Sequence, residues 1–216
     1  MNRAAISADI IASTSLTQSQ RTFLDAQLRE LLRELRALFG IKKFFGRLVK
    51  GDCLECVLEE PQSALRTALL IRTFVKALDI KSANSGFNNY GVRVAVGIGE
   101  LTLDRKKGFI DGGAIVLAGR ANQDAAANPK RGRLLFQSTD VDLNNSMAPL
   151  FALLDAMLAK NTKLQCGVLW HRLLGKTEKE AGMAMGKKQN TINQHTHTAG
   201  WPAIKSAVDY FEDVIK

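Results

Sequence analysis

A three-residue turn constrains this chain more than any other feature. The runs IKKFFGRLV (41–49) and CLECVL (53–58) are apolar and β-prone, and only Lys50, Gly51 and Asp52 separate them. A connection this short joins antiparallel neighbours, because parallel strands need a crossover of about a dozen residues or more. The doubly wound parallel sheet, the alternative for a chain that alternates strands and helices, is therefore disfavoured.

The remaining segments arrange themselves around this hairpin. AAISADIIA (4–12) is short, apolar and β-branched, and reads as a buried strand. The hydroxyls of STS (13–15) follow as helix-capping groups. From Leu16 to Phe39, Leu24, Leu28, Leu31, Leu35 and Leu38 recur at spacings of three and four, which predicts a long helix ended by Gly40. Pro61 opens a second helix with Leu65, Leu69, Ile71, Phe74 and Leu78 on its stripe. SANSGFNN (82–89) reads as a loop, VRVAVGIGE (92–100) as a strand and DRKKGFIDGG as a charged connection. A helix over 114–127 and a strand RLLFQS (133–138) follow. The order β-α-β-β-α-β is the split pattern of an α+β, ferredoxin-like sheet with helices. After about Met147 everything reads as helix. The expected division is 1–145 for the sheet unit and 146–216 for an all-α unit, with no Gly/Ser spacer between them.

Apolar residues make up 46% of the chain, enough for a real core. The net charge of +9 favours an anionic partner, although a solvated basic surface has the same charge. No apolar run reaches membrane-span length, the N-terminus lacks a signal-peptide pattern, and three cysteines fit a reducing cytoplasm. Cys53 and Cys56 fall on opposite faces of a strand and are expected in the fold rather than on a metal.

Near the end of the chain, 164–174 reads as a helix broken by Gly175. Thr177 with Glu180 forms a capping box, so a short helix runs over 178–185. Gly186 makes a sharp turn, and KKQNTINQHTHT forms the next helix, stopped by Gly200 and Pro202. A helix-turn-helix needs a small residue where the helices cross (Gly182), a turn residue with an unusual backbone angle four later (Gly186) and a β-branched or aliphatic pin six beyond that (Ile192). Met185 is a further core position. Lys188, Gln189, Asn190, Asn193, Gln194 and His197 are then free to face double-stranded DNA. Amides read adenine in the major groove, while Lys187, Lys188 and Thr177 lie where phosphates run. His195 and His197 do not share a helix face, so HxH makes a poor zinc site. A purely structural helical hairpin is the competing reading. The segment resembles the sigma-factor region 4 and LuxR-type helix-turn-helix class, and LLGKTEKEAGMAMGKKQNTINQ is similar to the C-terminal part of SatD-like proteins.

The first strand ends in Asp9 and Ile10 and runs into Ser13, Thr14 and Ser15. An acid bound to Mg²⁺ beside backbone N–H groups is one way to hold a metal triphosphate. Asp52 at the hairpin tip supplies a second acid, and two converging carboxylates call for a cation between them. Plain capping and turn roles for Asp9 and Asp52 are the alternative.

ADIIASTSL, GDCLECV, VRVAVGIGEL and GGAIVLAGR, in that order, resemble the class III nucleotidyl cyclase fold. The resemblance implies Asp9 and Asp52 as metal-binding acids, with the Ile10 backbone. It also implies Ser13, Thr14, Ser15 and Lys50 near phosphates, Arg120 as the transition-state arginine, and Mg²⁺ or Mn²⁺ with a nucleoside triphosphate. Val116 stands where the family has its asparagine, Leu48 where it has its purine-selecting lysine, and Asp111 is the nearest acid to the partnering aspartate. An active cyclase is therefore not the expectation. The leading reading is a dimeric, DNA-binding regulator with a nucleotide-sensing domain. Its rivals are a metal-dependent cyclase or phosphotransferase and a protein-interaction adaptor.

Overall fold

The computed structural model describes residues 2–49, 51–80 and 91–215. The loop expected over 82–89, and Lys50, lie outside them. Seven strands and eight α-helices are described: β1 (Asn2–Ile11), α1 (Gln18–Phe39), β2 (Phe44–Val49), β3 (Cys53–Leu58), α2 (Ala64–Ala77), β4 (Gly91–Glu100), β5 (Thr102–Asp104), β6 (Phe109–Asp111), α3 (Gly113–Ala127), β7 (Leu134–Ser138), α4 (Val141–Lys160), α5 (Lys163–Leu173), α6 (Glu178–Met185), α7 (Gln189–Thr198) and α8 (Trp201–Val214). The class is α+β: a mixed five-stranded sheet in the order β2-β3-β1-β4-β7, with helices. β2, β3, β1 and β4 pair antiparallel, and β7 adds to β4 in parallel.

The pleat of β1 separates two apolar clusters. Ala4, Ile6, Ala8 and Ile10 join the large core with Leu24, Leu28, Leu31 and Leu35 of α1 and Leu65 and Leu69 of α2. Ala5 belongs to a smaller cluster on the opposite face, with Val57, Leu101 and Ala114. Close packing of α3 on this second face rests on Gly97 of β4, where an added Cβ would lie 2.1 Å from the Ala114 carbonyl oxygen.

Two local readings change. The helix after β1 begins at Gln18, and its capping box is made by Thr17 with Gln20; Ser13–Ser15 form a separate 3-10 turn entered through Ala12 in the left-handed region (φ 61°). The segment read as a charged connection carries the small β5–β6 hairpin.

The expected division after residue 145 falls inside α4, and apolar packing continues across it. Phe136 of β7, Phe151 of α4 and Phe211 of α8 meet at centroid distances of 5.2, 5.9 and 6.0 Å. Arg66 of α2 pairs with Glu212 of α8 at 2.8 Å. Arg72 of α2, almost fully buried, pairs with Asp155 of α4. Lys76 donates to the carbonyls of Leu158 (2.6 Å) and Ala159 (2.8 Å) at the end of α4.

Candidate functional site

Asp9 stands near the end of β1, directly opposite Cys53 on β3 and Arg93 on β4. The backbone N–H of Ile10 donates to the carbonyl of Asp52 at 3.0 Å, which fixes the hairpin tip against the first strand. The Ser13 hydroxyl donates to Asp52 Oδ2 at 2.7 Å. The two acids are thus brought to one corner of the sheet. Burial pushes the Asp9 pKa up, Arg93 pulls against it, and the negative charge of Asp52 pushes it further up. Arg93 Nη1 lies 3.2 Å from Asp9 Oδ2. Sequence reasoning missed this arginine, although its signal was a charge inside an apolar run.

The turn beside the acids is tied down from both ends. Ser15 Oγ donates to the Ala12 carbonyl at 2.7 Å, so this hydroxyl is spent within the turn. Arg21 of α1 reaches back, donating from Nη2 to the Thr14 carbonyl (2.9 Å) and from Nε to the Leu16 carbonyl (3.1 Å). A cleft of about 370 Å³ opens between this turn, the start of α1 and the hairpin tip, lined by Ser13, Thr14, Gln18, Arg21, Gly51 and Asp52. Such a volume lies in the range of about 300–1,000 Å³ usual for small-molecule sites. Arg21 is the second residue that sequence reasoning did not single out.

Among the described residues, no group of three or more His, Cys, Asp or Glu side chains is placed to hold a metal. The oxygen donors present are the carboxylates of Asp9 and Asp52, with the Ser13 hydroxyl between the turn and Asp52. Two carboxylates with backbone and hydroxyl oxygens are a hard set, the kind that suits Mg²⁺ or Mn²⁺ when phosphates complete the shell. Arg93 already engages one oxygen of Asp9.

Arg120 and Val116 lie one turn apart on α3 and both are exposed. Among the described residues Arg120 forms no hydrogen bond or ion pair, so nothing ties it to the two acids. Asn122, further along α3, is buried and donates to the Ser7 carbonyl (2.8 Å) and Ser7 Oγ (2.9 Å). The cysteines are unbridged; burial pushes the Cys53 thiol up to about 11, and Cys56 is directed into the core opposite Ile6.

At the other end of the chain, Gly182 packs where α6 crosses the turn: an added Cβ would lie 2.8 Å from the Lys187 carbonyl oxygen and 3.6 Å from Ile192 Cγ1. Gly186 is left-handed (φ 62°, ψ 34°), and Lys187 N–H donates to the Gly182 carbonyl at 2.9 Å, closing α6. Ile192 is fully buried with Val168 and Ala181, and Met185 packs against them. Lys187, Lys188, Gln189, Asn190, Asn193, Gln194 and His197 are all exposed, while His195 is half-buried. Two residues on this face are already engaged. Asn193 Nδ2 donates to both carboxylate oxygens of Glu178 (3.3 and 3.1 Å), and the Thr177 hydroxyl is committed to its capping box with Glu180.

No family model matches the sequence. No curated protein matches it either. Among solved structures the chain is similar to two structures of a bacterial light-regulated adenylyl cyclase. Identity is 17% and 16% and the TM-score is 0.47 for each; the match covers 63% of this chain and 42% and 43% of those chains. The chain thus spans less than half the length of the proteins it is similar to. Neither the resemblance to SatD-like proteins nor the DNA-facing reading of α6 and α7 is addressed by these comparisons. No described helix is long and apolar enough to cross a membrane.

Proposed function

We propose that the Asp9–Asp52 corner and its cleft bind a divalent cation together with the phosphates of a nucleoside triphosphate, in a cyclase-like or related phosphotransferase domain of ferredoxin-like topology. The observation that carries this reading is the juxtaposition of the two acids. Asp52, held by Ser13, sits close enough to raise the pKa of Asp9, and it lines a cleft of mixed polar and apolar character that Arg21 also lines. Asp9 and Asp52 would hold the cation, with the Ile10 carbonyl as a neighbouring backbone donor. A bound cation supplies charge neutralisation for phosphate oxygens. Ser13, Thr14 and Arg21 would position the phosphates, and Arg120 acts only if a second copy of the chain brings it to the site. Lys50 belongs to the same expectation.

The test is calorimetric titration with Mg²⁺ and a non-hydrolysable triphosphate, followed by incubation with triphosphates and Mn²⁺ and an assay for pyrophosphate. Binding weakened at least about tenfold by both Asp9→Ala and Asp52→Ala is the expected result. Pyrophosphate release abolished by Asp9→Ala makes the domain an enzyme; binding without release makes it a sensor. Affinity unchanged in both variants overturns the proposal.

A second reading has its own observation. The α6–α7 pair has a glycine crossing, a left-handed turn and a buried aliphatic pin, and it presents an exposed row of lysines and amides. This supports contact with duplex DNA, as the SatD-like resemblance implies. A homodimer would present two such helices at a fixed spacing. Salt-dependent binding to duplexes, with molar mass from light scattering, tests both elements of that reading.

A further inference from the structure

Away from both of these regions, a pocket of about 180 Å³ lies where α2, the α5–α6 junction and α8 meet. Arg66, Arg172, Lys176 and Lys205 line it together with Trp201 and Asp209. Two of the cations are already paired: Arg66 with Glu212, and Lys205 with Asp209. The other two form no ion pair among the described residues. Arg172 has its guanidinium 5.2 Å from the centre of the Trp201 ring, and its Nη1 donates to the Lys176 carbonyl. Its Nε is buried and has no hydrogen-bond partner. Lys176 lies near enough to His171 to lower its pKa, after burial, the larger cause.

We infer that this pocket binds a small phosphate-bearing anion: inorganic phosphate or a compact phosphomonoester. Arg172 and Lys176 line the pocket without an ion pair among the described residues, and a guanidinium beside an ammonium is a pairing that recognises phosphate oxygens. Trp201 holds Arg172 in place through its ring face. The volume is below the roughly 300–1,000 Å³ of sites for larger ligands, which selects a phosphate or a small ester over a nucleoside triphosphate. Ligand here touches α2, which packs under the sheet, and α8, which follows the α6–α7 pair, so occupancy stiffens the joint between them. The inference does not depend on the Asp9–Asp52 proposal.

The experiment is a fluorescence titration of the full chain with inorganic phosphate at constant ionic strength, with AMP and duplex DNA as separate arms. The expected result is a saturable change in emission that Trp201→Phe removes and that chloride does not produce. Lys176→Gln and Arg172→Gln should each raise the apparent Kd about tenfold. Lys176 is only partly buried, so Lys176→Gln keeps the test valid if Arg172→Gln fails to fold. Absence of a saturable change, or an unaltered Kd in Lys176→Gln, overturns the inference. A response to duplex DNA alone overturns it too, by making the pocket part of a nucleic-acid surface.

Discussion

Arg93 and Asp9 face one another across the β4–β1 ladder, with Nη1 3.2 Å from Oδ2. The arginine lowers the cost of leaving a half-buried carboxylate beside Asp52, but does not cancel it: the Asp9 pKa remains raised, with burial the largest cause.

That balance fixes the sign of a pH effect. Between the ordinary aspartate value of 3.8 and the raised folded value, the folded chain holds its proton more firmly than the unfolded chain. Stability contributed through Asp9 therefore falls as pH rises through that window. Asp9→Asn should be more stable than the parent at pH 7.5 and lose that advantage at acid pH. Urea denaturation at the two pH values checks this, and an equal difference at both would contradict it.

Cation binding should follow the same proton. Affinity for Mg²⁺ is expected to decline on acidification at a higher pH than an unperturbed aspartate would give, because the ligand must be deprotonated. Ser13→Ala, which frees Asp52 from its 2.7 Å hydrogen bond, should weaken Mg²⁺ binding several-fold without changing the direction of the pH response. Titration calorimetry across pH reads both.

On α7 and the turn before it, the exposed residues should separate by role. Lys187→Ala or Lys188→Ala is expected to weaken binding to every duplex and to reduce the salt slope by about one. Gln189→Ala should relax preference among sequences, costing about 1–3 kcal/mol on the favoured one. Asn193 is braced against Glu178, so Asn193→Ala should lower affinity for all duplexes alike and destabilise the fold by about 0.5–1.5 kcal/mol. Binding measured on a panel of duplexes at several salt concentrations distinguishes these outcomes.

The buried pair between Arg72 and Asp155 gives a stability prediction. Burial lowers the Arg72 pKa, and Asp155 also accepts from the Arg133 N–H at 2.8 Å. Asp155→Ala leaves the guanidinium buried and unpaired and should cost about 3–5 kcal/mol. The double replacement Arg72→Met with Asp155→Leu should cost less than the single one, as read from urea midpoints.

Two glycines two positions apart on β4 should behave differently. Gly97→Ala places a methyl 2.1 Å from backbone of α3, whereas at Gly99 the nearest atom is 3.4 Å away. Gly97→Ala is expected to destabilise by about 1–3 kcal/mol or more, and Gly99→Ala by much less. Thermal melts of the two variants compare them directly.

Local chemistry was legible in the sequence where its spacing is fixed. The Lys50–Asp52 turn demanded a hairpin, and Gly182, Gly186 and Ile192 demanded a tight helix pair. Contacts that depend on register between distant segments were not legible. Arg93 meets Asp9 only because β1 and β4 pair in one register, and Arg21 reaches Thr14 only because the chain turns at Ala12. The three-residue strands β5 and β6 are too short to show alternation. The Thr17–Gln20 box has a readable spacing, but the Ser13–Ser15 hydroxyls lie nearer the strand and offer the same capping chemistry.

The rings of Phe136, Phe151 and Phe211 lock the last sheet strand to the first and last helices of the C-terminal half. Severing the chain before α4 to obtain the sheet by itself would lay bare an oily seam along β7. Conversely, any tilt of α8 must drag that seam with it. The sheet and α8 are thus joined through one apolar seam, not strung like beads on a string.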